Sequence, residues 1–321
     1  MIVFITTPDH HTTFKALVAG EFDYPLPVIR AASYDGFFCR SEFVRATFVF
    51  TDVERLAPWE QRLAAAAYRA LRAAGLTCLN DPARVMGRFE LLRTLHRAGI
   101  NPFTVYRGED HPEPARFPVF LRSETDHGPV SALAHAQPEL DRMLLELRAR
   151  GNPLRDLLVI ELCAEPVAPG VWRKFGTFRI GTEMHVDHSV LEDGWHVKFG
   201  KIQDYPTFLF EQERDAIVGN SCAPEIAQAF DLAGIEYGRA DHATVQGRPV
   251  IYEINTNPTI GGPEPQRKQM RADALAVARS RLAQLLWRID SGDGTPLTVE
   301  TGPALAAYRE SSAGLRWPAR P

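Results

Sequence analysis

The chain is poor in the residues and patterns that mark several large functional classes. Only four cysteines occur in 321 residues, Cys39, Cys78, Cys163 and Cys222. They lie far apart and form no C-x-x-C pair, which argues against a disulfide framework or a cysteine zinc site and points to a reduced, cytoplasmic protein. Positive charge is not in excess: 36 Lys and Arg stand against 40 Asp and Glu, a formal net charge of -4. A general nucleic-acid or membrane-surface binder needs a basic excess, so neither partner is expected. No run approaches the ~20 apolar residues of a membrane span. The opening Ile2-Val3-Phe4-Ile5-Thr6 is too short for a signal peptide and has no basic stretch ahead of it. Neither a G-x-x-x-x-G-K-[ST] phosphate loop nor a G-x-S-x-G nucleophile elbow is present.

What remains is an ordinary globular composition on a chain long enough for two or three packed layers. Ile2 to Thr6 reads as a buried strand and Ala46 to Phe50 as a second. The Pro- and aromatic-rich stretch between them carries no assignment. Pro58-Trp59-Glu60 opens a helix with Leu63, Ala67, Ala70, Leu71 and Ala74 on its apolar stripe, and Gly75 closes it. Leu76 to Leu79 is a short strand. A second helix is expected from about Pro82 to Ala98, a strand at Phe117 to Leu121, a helix from Pro138 to Arg150 and a strand at Leu157 to Leu162. From Lys174 to Phe199 the pattern is β-like, with turns at Gly181 and Asp193-Gly194. A short helix, Pro224 to Ala233, leads to two strands, Asp241 to Val245 and Pro249 to Ile254, joined at Gln246-Gly247. Ala272 to Ile289 is a long helix, and a weakly patterned tail follows it. The expected class is α/β.

The most informative stretch joins Gly238-Arg239-Ala240-Asp241 to Ile251-Tyr252-Glu253-Ile254-Asn255-Thr256-Asn257-Pro258. Glu253 and Asn255 are two apart, so a strand puts both side chains on one face. A hairpin at Gln246-Gly247 would set Asp241 opposite them. Two carboxylates and an amide oxygen would then converge as a hard-oxygen site suited to magnesium, which keeps positions for water and phosphate oxygens. Asp241, Glu253 and Asn255 are the candidate metal ligands.

This stretch resembles the metal-binding signature of the ATP-grasp superfamily, an Asp on one strand followed by Glu-x-Asn on the next, usually ending Asn-x-x-Pro. The resemblance covers most of residues 80–290. It implies an N-terminal α/β domain at 1–82, a small α+β lobe at 83–160, a large catalytic lobe at 161–290 and a C-terminal tail at 291–321. By position, Arg88 and Arg122 stand where the family usually has two phosphate-contacting lysines. Arginine keeps the charge and adds a second donor, but it is bulkier. His127 lies in the stretch where the family often has a glycine-rich phosphate loop, here with a single glycine. Leu157 to Cys163 is similar to the segment linking the two lobes, so Glu161 and the backbone near Cys163 are the adenine-side candidates. Arg173, Lys174, Arg179 and Lys198 fall where the family reads phosphate or a substrate carboxylate, and Arg173 and Lys198 are the candidates chosen; Arg239, two residues before Asp241, shares the face of that carboxylate and is a further candidate. Alternation separates Arg173 and Arg179 from Lys174 without saying which face meets the cleft.

The resemblance implies a ligase that uses ATP and Mg2+, with Mn2+ as a substitute, to join a small-molecule carboxylate to an amine through an acyl phosphate. A homodimer is one expected state. Two other readings stay open: phosphoryl transfer without amide formation, and a nucleotide-binding regulator without turnover. His185-Val186-Asp187-His188 is set aside as a metal pair, because positions three apart on a strand point to opposite faces. Asp9-His10-His11 follows the first strand, where α/β sheets place ligands, and reads equally as an exposed loop. Asp290-Ser291-Gly292-Asp293-Gly294 lacks the spacing of a calcium loop.

Overall fold

The computed structural model describes residues 1–125, 131–198, 200, 205–260 and 268–313. Strands β1 (Ile2–Thr6), β2 (Ile29–Ser33), β3 (Glu42–Val44), β4 (Thr47–Phe50) and β5 (Cys78–Leu79) open the chain. They are interleaved with helices α1 (Lys15–Val18), α2 (Tyr34–Phe38) and α3 (Pro58–Ala73). β2, β1, β4 and β5 pair in that order as a parallel sheet. Both faces of this sheet are covered, which is why β1 is apolar along its length. Val3 and Ile5 pack with Ala64, Ala67 and Leu71 of α3, whereas Ile2 and Phe4 pack with Leu282, Leu285 and Leu286. α3 forms where sixteen residues contain no glycine or β-branched side chain. Pro58 sits in its first turn, and Glu60 reaches back to accept from the Ala57 amide at 2.8 Å.

Next come α4 (Arg88–Arg97), β6 (Val105–Arg107), β7 (Val119–Ser123), α5 (Gln137–Ala149) and β8 (Leu157–Glu161). β6, β8 and β7 form an antiparallel sheet. β9 (Trp172–Ile180) and β10 (Glu183–Glu192) make a hairpin, and α6 (Thr207–Gly219) and α7 (Pro224–Ala233) follow. β11 (Tyr237–Val245) and β12 (Arg248–Asn255) complete a four-stranded antiparallel sheet in the order β10-β9-β11-β12. Gln246 and Gly247 between them have φ of 50° and 75°, as a two-residue hairpin of type I′ requires. α8 (Gln269–Ile289) packs on α6 and β10, and β13 (Pro296–Thr298) and α9 (Gly302–Ala313) end the described chain. The architecture is α/β.

Three expectations are corrected. The helix expected from Pro82 begins at Arg88. The Asp81 carbonyl accepts from the amides of Arg84 and Val85 in a turn, and Gly87 in extended backbone restarts the chain as the N-cap of α4. No strand follows Asp193-Gly194 within residues 195–198. The stretch read as a weakly patterned tail is built into the fold: β13 pairs with β3, and Tyr308 of α9 stacks on Trp59 of α3 at 6.0 Å.

His185 lies in this core at 1% exposure, stacked on Phe178 with ring centroids 5.4 Å apart. Its Nε2 has no hydrogen-bond partner among the described residues. Burial holds its pKa below 6.5, against the pull of Asp187. The unfolded chain takes up a proton below about pH 6.5 that the folded chain resists, so stability present at neutral pH is lost as pH falls through that value. His185→Phe should flatten this loss. Denaturation midpoints of both proteins at about pH 7.5 and about pH 5 check it; equal pH sensitivity would remove His185 as the cause.

Candidate active site

A cleft opens between the three-stranded and four-stranded sheets. Phe120 and Arg122 of β7, Glu161 of β8, Lys174 of β9, Asp241 of β11 and Glu253 of β12 all line it. On β11 and β12 the register sets Asp241 directly opposite Glu253 and Arg239 opposite Asn255. Directly after the Asp241–Glu253 pair, His242 pairs with Ile251, so Tyr252 is an extra residue on its strand. A bulge of this kind re-aims side chains, and here both Tyr252 and Glu253 line the cleft.

Each carboxylate is met by two cations. Glu253 Oε2 accepts from Arg88 Nη2 at 2.6 Å and lies 3.5 Å from Arg122 Nη2. Lys174 Nζ lies 2.8 Å from Asp241 Oδ2, and Arg239 Nε lies 3.5 Å from Asp241 Oδ1. Gly176 makes room for the second pair. It faces Asp241 in the register, and a Cβ there would come within 2.9 Å of Arg239 Cδ and 3.0 Å of His188 Cε1. With no side chain at that position, Lys174 reaches Asp241 diagonally along the face. Arg88 is fixed by its place at the start of α4 and by Nη1, which donates to the carbonyls of Ser123 and Glu124 at 3.0 and 2.7 Å. The Nε atoms of Arg88 and Arg239 are buried without a hydrogen-bond partner among the described residues.

The other candidates divide. Lys198 lines the cleft, and its backbone amide donates to Glu192 at 2.9 Å. Arg173 lines it too, but its guanidinium turns to α6, donating to the Leu209 carbonyl at 3.3 Å and to Gln212 Oε1 at 2.5 Å. Glu161 is 3% exposed, and its carboxylate accepts from Tyr106 Oη at 2.9 Å and from the Thr104 amide at 3.2 Å, as burial of a charge demands. The Cys163 carbonyl accepts from Tyr252 Oη at 2.9 Å, leaving that carbonyl's second lone pair. Asn255 Oδ1 accepts from the Asn257 amide at 2.7 Å, and Asn255 lines a second, smaller cleft that also takes in Arg55, Arg88, Glu124 and Glu253. Glu253 stands where the two clefts meet. His127 lies outside the described residues.

The sequence set Lys174 on the strand face opposite Arg173 without choosing between them, and it gave Trp195 and His196 no role of their own. Trp195 lies tilted against Phe120 with ring centroids 4.9 Å apart, giving the cleft an aromatic wall. His196 is pushed below 6.5 by burial first and then by Arg122, Lys174 and Lys198. The β-like pattern around Trp195 carried no sign of this, because the segment is irregular. The loop after β1 serves the site at one remove. Asn257 Nδ2 donates to Asp52 Oδ2 at 2.8 Å and to Thr6 Oγ1 at 3.0 Å, and Thr13 Oγ1 donates to Asn257 Oδ1 at 2.6 Å. These bonds clamp the end of β12 to the parallel sheet. His10, near Asp9 and His11, pairs with Thr7 Oγ1 at 3.0 Å inside the same network.

No family model matches the chain, and no curated protein matches it. Among solved structures, it is similar to D-alanine–D-alanine ligase from Bacillus anthracis complexed with ATP, at 12% identity over 90% of this chain and 97% of that one, with a TM-score of 0.49. It is similar to the ATP-grasp ligase PsnB complexed with a phosphomimetic variant of minimal precursor, Mg and ADP, at 14% identity over 88% and 97%, with a TM-score of 0.48. It is also similar to a RimK domain ATP-grasp protein from Sphaerobacter thermophilus, at 15% identity over 91% and 99%, with a TM-score of 0.47. Of these three solved structures, the second and third are described as ATP-grasp proteins.

Proposed function

We propose that the chain is an ATP- and Mg2+-dependent ligase that activates a carboxylate and passes it to an amine. The observation that carries this reading is the Asp241–Glu253 pair, set on neighbouring strands and ringed by Arg88, Arg122, Lys174 and Arg239. Carboxylates and cations so interleaved suit a ligand that itself combines metal and phosphate. Among the described residues no three His, Cys, Asp or Glu side chains gather as a complete metal cage. A metal here would lean on two carboxylates, the Asn255 amide and oxygens of the ligand, which is how magnesium binds with nucleotides. The buried Nε of Arg88, which has no hydrogen-bond partner among the described residues, fits an anionic ligand in the same way. The aromatic wall of Phe120 and Trp195, with the backbone at Glu161–Cys163, suits a base.

The chemistry follows from the leaving group. A carboxylate is a poor electrophile, because oxide and hydroxide leave badly. Attack of one carboxylate oxygen on the γ-phosphorus of ATP releases ADP and makes that oxygen part of a phosphate. The amine then adds to the acyl carbon, and phosphate departs with the former carboxylate oxygen. When bound, magnesium offsets the charge on the phosphate oxygens. The arginines and Lys174 hold that charge from the protein side. No protein nucleophile is needed, in keeping with the absence of a nucleophile motif.

Arg122→Ala should weaken ATP binding by about 10- to 100-fold, since a charge-assisted hydrogen bond contributes ~1.5–3 kcal/mol. Arg122→Lys should lose less, keeping the charge without the fork. Calorimetric titration of both variants with ATP and Mg2+ tests this, and unchanged affinity in the alanine variant would remove Arg122 from the phosphate site.

A further inference from the structure

The two candidate metal-ligand carboxylates are ion-paired with the protein's own cations. Arg88 and Arg122 sit on Glu253, and Lys174 and Arg239 sit on Asp241. These side chains are largely withdrawn from solvent, with exposures of 10% and 16% for Arg88 and Glu253, and 17% and 9% for Lys174 and Asp241. Ion pairs at such depth are screened little by salt. Resting on the reading of the site as one for ATP and magnesium, we infer that Asp241 and Glu253 stand in for phosphate groups until the nucleotide arrives. It follows that nucleotide and metal bind tightly only as a pair, and that Lys174 belongs to the phosphate-holding set.

The argument is one of partner exchange. A divalent cation alone would enter a site already occupied by four positive groups, and it would have to strip both carboxylates of their partners. A nucleotide alone would have to pull the same cations from the carboxylates and leave Asp241 and Glu253 unpaired beside its own negative charge, a strongly unfavourable state at this burial. When both enter together, each cation trades a carboxylate for a phosphate oxygen and each carboxylate trades a cation for the metal. No charge is left without a partner. The coupling is reciprocal, so each ligand raises the affinity of the other by the same factor. The ion pairs also gather the four cations around one cleft, which lowers the ordering cost of binding.

A counterintuitive result follows. Removing a carboxylate should strengthen the binding of nucleotide without metal. Glu253→Gln removes the negative charge facing Arg88 and Arg122, and Asp241→Asn removes that facing Lys174 and Arg239. Calorimetric titration with ATP in EDTA should show each variant binding roughly tenfold more tightly than the wild type, the lower end of what a charge-assisted hydrogen bond supports. Wild-type protein without nucleotide should bind Mn2+ only at millimolar concentration by electron paramagnetic resonance, and ATP should sharply raise that affinity. Two variants acting on different cation pairs guard against one that folds poorly, which a melting curve would reveal. If both folded variants bind metal-free ATP no better than the wild type, or if Mn2+ binds the nucleotide-free protein at micromolar concentration, the inference is overturned while the ligase reading stands. If the wild type binds no ATP even with Mg2+, the reading of the site falls and the inference with it.

Discussion

Glu253→Gln is expected to lower Mg2+-dependent ADP formation by about 10²- to 10³-fold or more, the scale seen when a group stabilising transition-state charge is removed. Glu253 is the residue at which the site's separate parts meet. It faces Asp241 in the register, takes two arginines on one oxygen, and lines both clefts. Glutamine keeps the volume and one oxygen but loses the charge that would hold the metal against the phosphates. The side chain borders open clefts, so the fold should survive. Melting temperature and ADP release, measured together at saturating ATP, separate the two roles the residue could have. A variant that melts far lower but turns over normally in its folded fraction would make Glu253 a structural ion pair. One that melts normally and turns over at the wild-type rate would remove it from the metal site.

Asn80→Ala should cause the largest loss of stability of any single substitution considered. Asn80 has no exposed surface and a φ of 63°. Its amide nitrogen donates to the carbonyls of Phe50 and Tyr237 at 2.9 and 2.8 Å, and its oxygen accepts from the amides of Glu236 and Tyr237, both at 2.8 Å. One side chain therefore joins the end of β4 to the start of β11, the strand that carries Arg239 and Asp241. Alanine would orphan buried backbone groups at about 1–3 kcal/mol each and would keep a left-handed backbone that asparagine tolerates better. A loss of about 4 kcal/mol or more is expected, well into the tail of single-substitution effects. Asn80→Gly should lose roughly 1 kcal/mol less, because glycine removes the backbone strain and nothing else. Thermal unfolding of the two variants measures both parts. An alanine variant melting within roughly a degree or two of the wild type, the effect of a surface change, would show that the junction is held elsewhere.

Much of this architecture was legible because the signals were local. The apolar run Ile2–Thr6 is the inside of a parallel sheet, where both faces are buried. α7 runs Pro224–Ala233, bounded by the proline in its first turn and by Gly234 at a φ of 66°. The Gln246-Gly247 turn was legible as a hairpin, but a regular ladder from it would pair Asp241 with Tyr252; the bulge at Tyr252, which carries no local signal, sets Asp241 opposite Glu253. Other features depend on partners far along the chain. α6 was not seen, in part because Glu213 is buried in the middle of its packed face, satisfied by Arg271 at 2.9 Å and by the Ser189 amide at 2.8 Å, and this interrupts an apolar stripe. α9 was missed because it packs through a few contacts such as Tyr308 on Trp59. On β9, alternation sorted Arg173 from Lys174 but could not choose between them. The choice is made by partners far along the chain: Asp241 takes Lys174, and α6 supplies acceptors for Arg173. The start of α4 was misplaced because Pro82 looks like a first-turn proline, while the Asp81 turn and Gly87 delay the helix until Arg88. That delay puts Arg88 at the helix start, where it reaches Glu253.

The central claim is that a substrate carboxylate is phosphorylated and then captured by an amine. It is tested most directly by supplying carboxylates labelled with 18O in both oxygens, with ATP, Mg2+ and a panel of amines, and weighing the phosphate released. Carboxylate activation predicts that the productive pair yields ADP together with phosphate carrying one 18O atom, and that the label disappears with Glu253→Gln. ADP formation with unlabelled phosphate, or labelled phosphate in equal yield from the Glu253→Gln protein, would contradict it.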